Sequence, residues 1–118
     1  LVADDQEHIR VILKMSLERL GFEVSTANDG REALSSVREN PPDLIITDIM
    51  MPEMDGYEVL TQLRSDPATA GIPAIVLTAL EEESYQGKSA SLGAVEHLVK
   101  PLSLPALKQK VLKVLGEG

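Results

Sequence analysis

Hydrophobic positions along the chain switch between two periods. Leu1-Val2-Ala3 is a short apolar run that ends in two acids, Asp4 and Asp5. From Ile9 the spacing turns helical: Ile9, Leu13, Leu17 and Leu20 share one stripe with Ile12, and Gly21 is placed to end the helix. Phe22 to Ala27 alternates apolar and polar, as a half-buried strand does. Asp29 followed by Glu32 is a capping pattern ahead of Ala33, Leu34 and Val37, and Pro41-Pro42 stops the helix it opens. Leu44-Ile45-Ile46-Thr47 is a continuous β-branched run, the mark of a strand covered on both faces, and it ends at Asp48. Asp55 and Glu58 repeat the capping pattern before Val59, Leu60 and Leu63. Ala74-Ile75-Val76-Leu77 is a second fully buried strand, ending at Thr78. Glu81-Glu82-Glu83 suits a helix N-terminus, but the helix they open is weak, with Gly87 inside it and little apolar surface before Leu92. Val95 to Val99 reads as a strand ending at Lys100-Pro101. Ser103 caps a last helix through Leu104, Leu107, Val111, Leu112 and Leu115, closed by Gly116.

Five strands alternating with five helices predict an α/β fold, an open parallel sheet with helices on both faces. The second and fifth strands carry Glu23 and Glu96, whereas the first, third and fourth runs are apolar. Polar strands belong at edges, so the predicted order is 2-1-3-4-5, the doubly wound, flavodoxin-like arrangement. A single domain over residues 1–118 is expected, with a first strand short enough to have lost upstream residues.

Composition narrows the function. The 118 residues carry 19 acidic and 11 basic side chains, a formal charge of −8, which argues against direct grip on a nucleic-acid backbone. The aromatics are Phe22, Tyr57 and Tyr85, too few for a base-stacking platform. There is no cysteine, so disulfides and thiolate metal sites are excluded, and the cytoplasm is the expected compartment. No apolar run reaches the ~18 residues of a membrane span.

In an open parallel sheet, ligands bind beyond the carboxyl ends of the strands. Strands 1, 3, 4 and 5 end in Asp4-Asp5, Asp48, Thr78 and Lys100 respectively. Clustered carboxylates repel, and a divalent cation relieves the repulsion. An all-oxygen donor set suits Mg²⁺, with Mn²⁺ as the alternative, better than zinc. Phosphoryl transfer is the chemistry that combination serves: Asp48 as nucleophile at the end of the most central strand, with Thr78 and Lys100 binding the group transferred. Each residue alone has a plainer reading. Asp5 caps the first helix, Thr78 reflects strand propensity, Lys100 is a solvated charge, and the Met50 and Met51 side chains are loop packing. Their convergence on one rim is the signal. His8 and His97 are too far apart in the pattern to form a metal pair.

The segments "VADD" at 2–5, "PDLIITDIMMPEMDGYEVL" at 42–60, "IPAIVLTA" at 72–79 and "GAVEHLVKP" at 93–101 together resemble the receiver domain of bacterial two-component response regulators. The resemblance covers essentially the whole chain. It implies that Asp48 accepts a phosphoryl group from a phosphohistidine on a sensor histidine kinase or histidine phosphotransfer protein. It implies that Asp5 ligates Mg²⁺ directly, Asp4 through water, and the Met50 backbone carbonyl completes the protein ligands. Thr78 then moves toward the phosphoryl group and Lys100 pairs with it, the Lys100-Pro101 bond often being cis in such domains. The domain is thereby a switch rather than an enzyme, promoting only its own phosphorylation and dephosphorylation, with residues 81–115 as a dimerisation face. The family's usual aromatic switch position on the fifth strand holds His97, which leaves coupling to the output face open and invites pH sensitivity.

Rival readings fit less well. A haloacid-dehalogenase-type phosphatase needs a second acid where Met50 stands. A flavodoxin-like cofactor binder would meet repulsion between phosphate and Asp4-Asp5. No GxxxxGK loop exists. The closest rival is a phosphorylation-independent receiver used as an interaction module, which typically lacks one of the site residues.

Overall fold

The computed structural model describes residues 1–49, 51, 54–78, 94–99 and 103–116. Elements run β1 (Val2–Ala3), α1 (Glu7–Arg19), β2 (Thr26–Ala27), α2 (Gly30–Glu39), β3 (Ile45–Asp48), α3 (Gly56–Arg64), β4 (Ala74–Thr78), β5 (Ala94–Val99) and α4 (Leu104–Leu115). The strands form one sheet in the order β2-β1-β3-β4-β5, every neighbouring pair parallel, as the edge placement of the polar strands predicts. The helix expected over 81–92 lies outside the described residues.

The period-2 alternation of β3 and β4 sorts their side chains between the two faces of the sheet. Ile46, Ile75 and Leu77 join Leu13 and Leu17 of α1 and Leu107 and Val111 of α4. Ile45 meets Ala33, Leu34 and Val37 of α2 with Val59 and Leu63 of α3, while Ala74 and Val76 pack with Tyr57 and Leu60. Helices therefore cover both faces, and β3 reads as a continuous apolar run because neither of its faces meets water.

Helix ends obey the capping chemistry. Asp29 accepts the Glu32 N–H at 2.8 Å and Asp55 the Glu58 N–H at 2.9 Å. Ser103 accepts the Ala106 N–H over a long 3.4 Å. Gly21 and Gly116 take positive φ beyond α1 and α4, where a Cβ would be strained.

Three expectations are corrected. The second strand shrinks from 22–27 to Thr26–Ala27, because Phe22 and Val24 are partly buried against the core without joining the ladder. Ile12 leaves the apolar stripe of α1 and is 43% exposed, since it sits about 100° around the helix from Leu13. Leu104 is likewise exposed at the start of α4.

The edge strand β5 is tied to α4 by charge. Glu96 accepts from Lys113 Nζ at 2.8 Å, and Lys110 Nζ lies 3.5 Å from its other oxygen. The Lys113 hydrogen bond holds the Glu96 carboxyl below the usual range, against the opposing effect of burial. A depressed carboxylate stabilises the fold above its ordinary value near 4.5 and loses that contribution as pH falls through the folded value. Glu96→Gln is therefore expected to lower the melting temperature slightly near pH 7 and to match wild type near pH 3. Thermal melts of both proteins at the two pH values check this; an equal gap at both would show that the pair contributes nothing.

Candidate metal centre at the carboxyl edge of the sheet

Parallel strands deliver their carboxyl ends to one rim. β1 ends just before Asp4, whose N–H continues the ladder to Ala27 O at 3.1 Å. β3 ends on Asp48, and Ile49 carries the pairing one step further by donating to Leu77 O at 3.2 Å. The carboxylates of Asp4, Asp5 and Asp48 consequently offer oxygens that all lie within 4.8 Å of one another. Asp4 is fully buried and Asp48 is 5% exposed, while Asp5 faces solvent. Three carboxylates this close repel one another, and an all-oxygen set partly open to water fits Mg²⁺ or Mn²⁺.

The surrounding turns are held by their own hydrogen bonds. Asp4 Oδ1 accepts the Gln6 N–H at 2.9 Å, and Arg10 Nη1 donates to the Asp4 carbonyl at 2.7 Å. The N-cap of α1 is Gln6, with no side-chain cap, so the plain reading of Asp5 as a helix cap does not apply. Below the site, the Thr47 hydroxyl donates to the Asp48 carbonyl at 3.0 Å. Gly56 closes the loop after β3 by donating its N–H to Ile49 O at 2.9 Å.

Of the other expected site residues, Thr78 ends β4 in register with Val99, one position beyond the Asp48–Leu77 pair. The backbone of His97 pairs with Val76. Met50, Lys100 and Pro101 lie outside the described residues. A groove of about 1140 Å³ opens at the opposite end of the sheet between Leu1, Phe22, Leu44 and Val114. It holds none of the expected site residues.

Two residues at this rim escape the pattern of strand-end side chains. Gly56 stands so close to the end of β3 that a Cβ there would collide with the Asp48 carbonyl oxygen. Arg10 reaches back from α1 to the Asp4 carbonyl. The available signals were a glycine directly after the capping Asp55 and a cation in the opening turns of a helix.

An open parallel sheet in this order, with three acids gathered at the ends of β1 and β3, defines a doubly wound α/β protein with an acidic rim that could hold a cation. Residues 1–112 match the family model of the response regulator receiver domain, and the chain belongs to that family. It is 41% identical over 115 residues to the alkaline phosphatase synthesis transcriptional regulatory protein PhoP of Bacillus subtilis, covering 98% of this chain but 47% of that relative. The chain thus spans about half the length of that relative. Among solved structures, the chemotaxis protein CheY4 of Vibrio cholerae superposes with a TM-score of 0.91 at 33% identity, covering 96% of this chain and 94% of that one. The receiver domain of a signal transduction histidine kinase from Syntrophus aciditrophicus gives a TM-score of 0.88 at 34% identity, covering 98% and 87%. The chain is a phosphoacceptor switch domain of the two-component type, a signalling domain.

Proposed function

We propose that Asp48 is the phosphoacceptor and that Asp4 and Asp5, with the Met50 carbonyl, hold the Mg²⁺ on which transfer depends. The observation that carries this reading is the 4.8 Å carboxylate cluster, two of its members buried, at the end of a central strand. An Asp48 oxygen attacks the phosphorus of a phosphohistidine; the P–N bond breaks and its electron pair returns to the imidazole. Mg²⁺, when bound, neutralises phosphoryl oxygens as charge shifts between them. Thr78 and Lys100 bind the transferred group, and Thr78, His97 and Pro101 carry the change onward. Burial of Asp48 limits the freedom of its carboxylate, which favours a fixed direction of attack.

The phosphodonor partner is a sensor histidine kinase or a histidine phosphotransfer protein. The domain promotes its own phosphorylation and dephosphorylation and turns over no other substrate. It works in the cytoplasm as one domain over residues 1–118, makes no direct contact with nucleic acid, and dimerises through residues 81–115 when activated. PhoP is a transcriptional regulatory protein; in our reading any contact with DNA falls to an output segment or a partner rather than to this domain. Among the described residues, no helix is long and apolar enough to cross a membrane.

The test is incubation with Mg²⁺ and acetyl phosphate, then intact mass of wild type and Asp48→Asn. Wild type should gain one phosphoryl group and the variant none. An adduct on both proteins, or on neither, overturns the assignment, and the latter result would favour a phosphorylation-independent interaction module.

A further inference from the structure

We infer that Arg10 is a positioning residue of the metal centre, holding the β1–α1 turn so that the Asp4 and Asp5 carboxylates face Asp48 before any cation arrives. This rests on the reading of those three acids as the metal site. The turn of residues 4–6 supplies two of the three carboxylates, and Gln6, the N-cap of α1, offers no side-chain cap to hold it. Asp4 is gripped instead: its N–H donates to Ala27 O at 3.1 Å, its Oδ1 accepts from Gln6 at 2.9 Å, and its carbonyl accepts from Arg10 at 2.7 Å. The first bond belongs to the sheet and the second stays within the turn. The third joins the turn to the body of α1, and at 2.7 Å it lies at the short end of the range for N–H···O.

A cation so near a helix N-terminus opposes the helix dipole, so local preference does not explain Arg10. Nor does its charge suit a cation site, since a guanidinium beside the ligands repels an incoming Mg²⁺. The two effects have opposite signs. If charge dominated, removing Arg10 would tighten Mg²⁺ binding. If position dominates, removal loosens the turn and weakens binding, as loss of an outer partner of a metal ligand does, by roughly ten- to a hundredfold. Arg10 is partly open to solvent, which screens its charge, whereas the Asp4 it holds is fully buried. Position is therefore the larger effect.

The experiment titrates Mg²⁺ calorimetrically into metal-free wild type, Arg10→Ala and Arg10→Lys, with hydrogen exchange of the same metal-free proteins. Arg10→Ala should weaken Mg²⁺ binding about tenfold, and Arg10→Lys, which keeps a donor and the charge, should recover most of it. The Gln6 amide should exchange faster in Arg10→Ala while Ile46 and Leu77 keep their protection. Unchanged or tighter binding in Arg10→Ala overturns the inference, as does faster exchange throughout the core, which would make Arg10 a general stabiliser. Wild type that binds no Mg²⁺ overturns the metal-site reading itself, and the inference with it.

Discussion

Asp48→Asn is expected to abolish phosphoryl uptake and, in metal-free buffer, to melt above wild type. The two effects share one cause. Asp48 stands with Asp4 and Asp5 in a cluster whose oxygens lie within 4.8 Å, and two of the three side chains are buried. At that separation and an effective dielectric of ~20, each pair of full charges repels by about 3 kcal/mol. Asp5 is exposed and screened by solvent, so the net relief on neutralising Asp48 is smaller, about 1–2 kcal/mol. For a domain of this size that is about 4–8 °C in melting temperature. Asn keeps the shape of the side chain and adds a donor that the neighbouring carboxylates accept, so no cavity opposes the gain. Mg²⁺ should reverse the order. A ligand bound only to the folded state stabilises by about 2.7 kcal/mol at roughly a hundred times its Kd, and the variant, short of one carboxylate, has weaker affinity. Melting curves against Mg²⁺ concentration should therefore cross, wild type overtaking the variant. If the variant melts lower without metal, or Mg²⁺ lifts both proteins equally, Asp48 is not part of a shared cation site.

The residues that carry this prediction are legible in the sequence because the fold has a simple grammar. β3 and β4 are buried on both faces, so they appear as unbroken apolar runs, and the residue that ends such a run stands at the rim. Asp29 and Asp55 are legible as helix starts because capping is a local hydrogen bond between neighbours in sequence. Phe22 and Val24 mislead because alternation reports burial, not backbone pairing. Ile12 misleads because an apolar residue can stand in open water without an error in the fold. Asp5 also carries a plain alternative as a helix cap, which the structure removes, because the N-cap of α1 is Gln6 and no side chain caps it. Arg10 and Gly56 are illegible for one reason. Each acts on the backbone carbonyl of a distant residue, Asp4 or Asp48, and no pattern of side-chain types encodes such a contact.

Gly56→Ala should damage both stability and phosphoryl uptake, although alanine is the better helix former. Gly56 is the first residue of α3 and donates its N–H to Ile49 O at 2.9 Å, which folds the helix start against the end of β3. A Cβ there would collide with the Asp48 carbonyl oxygen and would lie 3.0 Å from Ile49 Cα. These are backbone atoms, which have no rotamer to escape into, so α3 and the strand end must separate. Alanine gains at most about 1 kcal/mol over glycine in helix propensity. Overpacking a tight contact costs about 1–3 kcal/mol, and here the clash falls on main chain, so a net loss of about 1–2 kcal/mol is expected. The consequence for chemistry is larger. The displaced atoms belong to Asp48, the proposed nucleophile, and a shift of about 1 Å in a reacting group slows a reaction on the order of a hundredfold. Gly71→Ala supplies the contrast, since nothing lies within 4 Å of a Cβ at that position. There the loss of unfolded-state freedom should leave stability unchanged or raise it by up to about 1 kcal/mol, with phosphorylation as in wild type. Urea unfolding and the rate of adduct formation from acetyl phosphate, measured on all three proteins, separate the cases. A Gly56→Ala protein that unfolds and reacts like wild type would mean that the approach of α3 to Asp48 imposes no constraint on the site.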